Sequence, residues 1–327
     1  MNNIYQPEDI GAENEKSLKT LARTIRLSQG QFSLVLLRCN YSELQQRMTA
    51  RLHQISPINI SELSLQPSVK TLYTTILEDI GDEAPSALMV SGLNSVEDLD
   101  NLLTSANQVR EEFRKSFAFP LLVWVDDLVL QKFIKLATDL ENWATVIQFN
   151  STTSELVTLL RDTTDDMFAG NIPNIQTCCE IESARQDLQR RRSLVEGADE
   201  ASLQFILGYR AYLHEQMDTC LEFYNQSLSY WEETHYLERQ GILQVCIASS
   251  YELKAEKNQL DYIKYIDESR NHLQNALNCF EQAQRLDLVV KYITKLGDVL
   301  RSLQAWDDLE SLAQKALVLH QEHGTSM

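Results

Sequence analysis

The residues best placed for chemistry lie in one bend, Arg38-Cys39-Asn40-Tyr41-Ser42. It joins an apolar run, Phe32–Leu37, to a segment of helical spacing that begins at Ser42. Where a buried strand turns into a helix, nucleotide-binding α/β proteins place a phosphate cradle. Its glycines let backbone N–H groups approach the phosphates, and a lysine reaches the terminal ones. Neither is here: there is no glycine between Gln31 and Ile80, and no lysine between Gln31 and Lys70. The side chains of Cys39, Asn40 and Tyr41 crowd the place where the backbone would have to approach. Nucleotide chemistry of the usual kind is therefore not expected, and no cofactor is expected either.

Other chemically suggestive groups have plainer readings. Asp126-Asp127 follow a hydrophobic run and could mimic a metal-binding acidic end, but an Asp at the start of a helix also caps it and suits its dipole. The same holds for Glu97-Asp98. His320 and His323 share a helical face, yet a metal site needs a third and a fourth ligand. No metal is expected. Arg190-Arg191-Arg192 sits between Asp187 and Glu196, which reads as a solvated face with local ion pairs. The aromatic stretch 223–236 reads as packing. No Ser/His/Asp or Cys/His arrangement has motif context, so no catalytic residue and no enzyme are expected.

Bulk properties narrow the partners. Of the 327 residues, 29 are basic and 47 acidic, a net charge of −18. Both halves are acidic: 14 basic against 23 acidic residues in 1–170, and 15 against 24 beyond. With no basic half to hold a phosphate backbone, direct nucleic-acid binding is disfavoured. The six cysteines have no C-x-x-C spacing, and adjacent Cys178-Cys179 are poorly placed to pair. The opening MNNIYQPEDIGAENEK is polar and acidic, unlike an export signal. No apolar run approaches the roughly 18–20 residues needed to span a bilayer. Reduced thiols and a cytoplasmic location, away from membranes, are the expectation.

The elements that must position these groups alternate in the first half. A tail (1–15) precedes a helix over 15–28. Strands are expected at Phe32–Leu37, Ile58–Leu65, Ala87–Val90, Pro120–Val125 and Thr145–Phe149. The helices that follow them are Ser42–Ile55, Ser68–Ile80, Val96–Phe117, Leu128–Leu140 and Thr153–Arg161. Five βα units predict a five-stranded parallel sheet covered on both faces, over 16–161. Asp residues, Gly170 and Pro173 mark a linker at 162–174. From 175 to 322 the chain has helical spacing and no proline. The fold class is thus α/β plus all-α: a P-loop-like parallel sheet followed by a helical-hairpin array.

Two resemblances refine this. Leu207-Gly208, with Cys220, Tyr224 and Ser227 after it, and Leu296-Gly297, with Leu309, Ala313 and Ala316, occupy what resemble the small, large and small positions of a tetratricopeptide helix pair. A middle unit over 241–274 offers Ala248 and Tyr251, then Ser269, Leu273 and Ala276. The resemblance implies a groove lined by Phe205, Tyr209 and Tyr212 in the first unit, Val245, Ser249 and Glu252 in the second, and Lys291, Asp298 and Arg301 in the third. Its implied partner is another protein or peptide.

In the first half, the opening strand and bend, ALMVSGLNSVEDLDNLL, and FPLLVWVDDLVLQKFIKLATDLENWATVIQF together resemble the P-loop domain of STAND-type (NACHT/AAA-like) signalling ATPases. Such domains occur in degenerate form in bacterial, especially cyanobacterial, tetratricopeptide-repeat proteins. The resemblance puts a degenerate nucleotide site at Arg38, Cys39, Asn40, Tyr41 and Ser42, with Ser91 and Asn94 where the family carries acidic residues. The expected function is a non-catalytic scaffold or regulatory adaptor. The alternatives are a nucleotide-dependent switch or a subunit of a defence or signalling assembly.

Overall fold

A computed structural model describes residues 7–81, 83–191 and 196–323. The chain divides into two compact units, Met1–Leu156 and Val157–Met327.

The first unit opens with α1 (Pro7–Leu27), β1 (Ser33–Arg38) and α2 (Ser42–Ile55). Then come β2 (Ser61–Ser64), α3 (Leu72–Ile80), β3 (Leu88–Ser91) and a 3₁₀ turn at Leu93–Ser95. The unit continues with α4 (Leu99–Gln108), α5 (Arg110–Ser116), β4 (Pro120–Val125), α6 (Asp127–Leu136), α7 (Thr138–Glu141) and β5 (Ala144–Gln148). All five strands are parallel, in the order β2-β3-β4-β1-β5. Every residue of β4 is buried, as are the four inner residues of β1. These are the central strands, which explains their unbroken apolar sequence. The edge strands β2 and β5 alternate or expose most of their residues.

One sheet face carries Leu34, Leu36, Val90, Leu121 and Val123 against Ile76, Leu102, Phe113, Phe117, Val129 and Phe133 of α3 to α6. The alternate residues Val35 and Leu37 are buried as well, as are Leu44, Met48 and Leu52 of α2. A single leftward step, β1 to β2, followed by rightward ones puts α2 on one face and α3–α7 on the other.

Four expectations change, one of them the helix expected over Leu128–Leu140, which is two helices, α6 and α7, meeting at Ala137. The first helix starts at Pro7, not near Glu15, so residues 7–15 are helical rather than tail. Ile10 and Asn14 are buried, with Asn14 Nδ2 donating to the Asn150 carbonyl at 2.8 Å. The helix expected over Val96–Phe117 is two helices meeting at Val109. The Asn107 side-chain oxygen at that break accepts the N–H groups of Asp139 and Leu140, at 3.1 and 3.0 Å. Finally, the stretch expected as a linker is helical as far as Phe168, in α8 (Thr153–Phe168). Its residues pack: Phe168 stacks on Phe205 at 4.5 Å between centroids. Arg239 lays its guanidinium over Phe168 and Trp231 at 4.6 and 4.5 Å, and pairs with Asp165 at 2.6 Å.

The second unit continues with α9 (Ile175–Arg190), α10 (Ala198–Leu213), α11 (Met217–Glu233), α12 (Leu237–Lys257), α13 (Tyr262–Gln282), α14 (Leu286–Ser302) and α15 (Trp306–His323). Four turns share one geometry. Glu215, His235, Gln284 and Gln304 all have φ between 55° and 57°. In the first, Gln216 N–H reaches back to the Ala211 carbonyl and Glu215 N–H to that of Tyr212, both at 2.9 Å; the other three repeat this pair of bonds. This is a Schellman closure with a side-chain-bearing residue in the left-handed position. It turns α10 into α11, α11 into α12, α13 into α14 and α14 into α15 in the same way.

The hairpins close on glycine. A Cβ on Gly208 would lie within 3.0 Å of Tyr224 ring carbons, and one on Gly241 within 3.0 Å of Phe280 ring carbons. In the middle pair Gly241 meets Phe280, and Ala248, Ser269, Leu273 and Ala276, the positions expected to pack between these helices, are all wholly buried.

Candidate functional site

In an open parallel sheet, ligands sit outside the carboxyl ends of the strands where the order of connection switches. Here that place is the end of β1 beside β4. The whole expected bend is there. The sheet ladder runs past the strand, with Cys39 N–H donating to the Val125 carbonyl and Phe149 N–H to the Arg38 carbonyl, each at 2.9 Å. Arg38 Nε donates to Asp127 Oδ1 at 2.5 Å, and its NH1 to Gln148 Oε1 at 3.1 Å. Asp127 N–H donates to Asn40 Oδ1 at 2.9 Å. Cys39 and Tyr41 are buried, and the Cys39 thiol donates to the Tyr41 carbonyl at 3.4 Å. Arg38, Asn40 and Asp127, with the Cys39 N–H, are thus engaged within the protein at this place.

Ser91 ends β3, and its carbonyl accepts Leu65 N–H at 2.9 Å. Gly92 follows with φ +88°, and a Cβ there would sit 2.9 Å from the Leu65 carbonyl oxygen. The positive φ and the nearby Leu65 backbone require glycine at this turn. Asn94 hydrogen-bonds the Asp126 carboxyl. Asp126 Oδ1 also accepts Val129 N–H at 2.7 Å, the helix cap expected of it. Burial, with Asp127 beside it, raises the Asp126 pKa against these bonds. Asp98 caps α4 in the same manner, accepting Asn101 N–H at 3.3 Å. Gln148 joins this cluster without having been singled out, because it faces Arg38 only once β5 pairs with β1.

The residues implied as groove lining divide. Phe205 is 2% exposed and Val245 7%, so neither is available to a partner. Phe205 packs between Phe168 and Tyr224, because α8 covers a position that would line an open groove at the end of an array. Tyr209 and Tyr212 are half-buried, and burial raises both phenol pKa values, with Cys178 adding at Tyr209 and Glu252 at Tyr212. Ser249 and Glu252 belong to a network with a residue that periodicity did not single out. Lys295 Nζ donates to Ser249 Oγ at 2.6 Å and pairs with Glu252 Oε2 at 3.2 Å. Glu252 Oε1 also accepts from Ser269 Oγ at 2.9 Å. Lys295 lies one turn after Lys291, which is the signal that could have found it. Lys291, Asp298 and Arg301 are exposed, with Asp298 and Arg301 paired at 2.8 Å. The structure thus brings Tyr212, Ser249, Glu252 and Lys295 together and leaves the third-unit residues as a charged rim.

No protein-family model matches the chain, and no curated protein matches it. Among the described residues, no group of three or more His, Cys, Asp or Glu is placed to hold a metal ion. The side chains of His320 and His323, and Arg192, lie outside the described residues. No described helix is long and apolar enough to cross a membrane.

Proposed function

We propose that the chain is a non-catalytic adaptor of the cytoplasm. In this reading a degenerate, STAND-like P-loop domain carries a tetratricopeptide-like array, and the first-helix face of that array holds an extended segment of another protein. The observation that carries the reading is the closure at the end of β1. There Arg38, Asn40 and Asp127 satisfy one another, and Cys39 N–H is committed to the sheet. A triphosphate needs backbone N–H groups at that place. The face around Tyr209, Tyr212, Glu252 and Lys295 instead offers half-buried aromatic rings beside charges, the make-up of a peptide anchor. The regular turns between helices support an array whose first helices share one side.

The test is affinity purification from the native host with wild type and a Tyr212→Ala/Arg301→Ala variant. The expected result is a protein partner retained by wild type and lost from the variant, with unchanged melting. Equal recovery by both would overturn the groove. The carboxylates of Asp126 and Asp127 beside the crevice favour a second reading, a nucleotide-dependent switch, and Mg-ATP binding separates the two.

A further inference from the structure

A cavity of about 380 Å³ opens on the side of α10 opposite the groove positions. Leu207, Arg210 and Ala211 face it from α10, whereas Tyr209 and Tyr212 project about half a turn away. Glu182 and Arg185 of α9 form one wall, and Phe223 of α11 another. That volume lies at the small end of ligand pockets, which run from roughly 300 Å³ upward.

Its charge is unbalanced. Arg185 grips Glu182 with both prongs, NH2 to Oε1 at 2.6 Å and Nε to Oε2 at 3.2 Å. Gln186 Nε2 adds a bond to Oε1 at 3.2 Å. Burial alone would raise the Glu182 pKa, but the Arg185 and Gln186 bonds and the Arg210 charge outweigh it and hold the carboxylate ionised. Arg210 comes second to a carboxylate already engaged. Its NH1 stands 3.4 Å from Glu182 Oε2, and no shorter ion pair links it to any described residue. Two guanidinium groups against one carboxylate leave the lining with one positive charge. The remaining titratable group of the lining is His214. Glu200 acts on Arg185 from outside it. A guanidinium with a free fork binds a planar carboxylate bidentately.

We propose that this cavity binds a small monocarboxylate with an apolar body. Arg210 takes the carboxylate beside the Arg185–Glu182 pair, and Leu207, Ala211 and Phe223 take the body. The site stands independently of the groove, because it uses the other side of α10 and different residues.

Calorimetry on the full chain with benzoate, benzamide and phenyl phosphate tests this. Benzoate binds saturably at one site in wild type, and benzamide does not. Arg210→Gln weakens benzoate about tenfold or more, the usual size of a charge-assisted pair. Arg210→Lys, which keeps the charge but loses the fork, falls between. Glu182→Gln frees both guanidinium groups and tightens benzoate several-fold, an effect no merely structural role predicts, and it remains readable if Arg210→Gln does not fold. The proposal is overturned if benzoate fails to saturate, if benzamide binds equally, if neither Arg210→Gln nor Glu182→Gln moves the affinity in the stated direction, or if phenyl phosphate binds more tightly than benzoate.

Discussion

At the end of β1, Arg38, Asn40 and Asp127 turn their polar atoms on one another, and the Cys39 N–H and Arg38 carbonyl bond the neighbouring strands. Across the first-helix face of the array, Tyr212, Glu252 and Lys295 also interact, yet each stays partly exposed, and Lys291, Asp298 and Arg301 are open. The two regions show how architecture sets what it takes to close off a surface. A parallel sheet gathers its ligand position at one crevice, so a few side chains are enough to fill it. A helical array spreads its surface over successive helices, and a single internal ion pair leaves the rest of that surface available.

Four stability measurements sharpen the contrast. The largest effect is expected from Gly241→Ala. The added methyl meets the Phe280 ring, and overpacking of this kind costs about 2–3 kcal/mol in urea unfolding. Breaking the crevice pair with Arg38→Ala is expected to cost about 1–2 kcal/mol, since the partners are 28% and 23% exposed and only partly screened. A double-mutant cycle with Asp127→Ala should recover most of that as coupling. A cycle with no coupling would mean that the closure is incidental. Gly297→Ala should go the other way. The nearest atom to a Cβ there is Leu309 Cδ1 at 3.6 Å, so the variant gains helix propensity without a clash, about 0.5–1 kcal/mol.

The smallest effect concerns pH. His272 is stacked on Tyr251, and its Nδ1 lies 2.5 Å from Gln244 Oε1. Burial lowers its pKa, with Glu268 opposing. As pH falls below the ordinary histidine range, the unfolded chain takes up the proton before the folded one, so stability present at pH 7 is lost toward pH 5. Urea melts at the two pH values should show a shallower loss in His272→Gln than in wild type. Equal losses would contradict the assignment.

Much of this was legible in the sequence. β4 has the bounds its apolar run predicts, and α2 spans Ser42–Ile55 as expected. The five-stranded parallel sheet followed by helical hairpins is also as read. What was hidden had physical reasons. The break at Val109 has no Gly or Pro to announce it. The four left-handed turn residues are Glu, His, Gln and Gln, so the repeated turn leaves no glycine signature. At the candidate sites, the bend was readable because it is contiguous. The roles of Gln148 and Lys295, and the burial of Phe205 under Phe168, arise from pairings across more than 30 residues, which local spacing does not encode.

The central claim is that the crevice at β1 holds the protein's own side chains in place of a nucleotide. Calorimetric titration of the full chain with Mg-ATP tests it most directly. No heat of binding and no rise in melting temperature at millimolar nucleotide is the predicted result. Saturable binding, weakened by Ser42→Ala or Asp126→Asn, would contradict it.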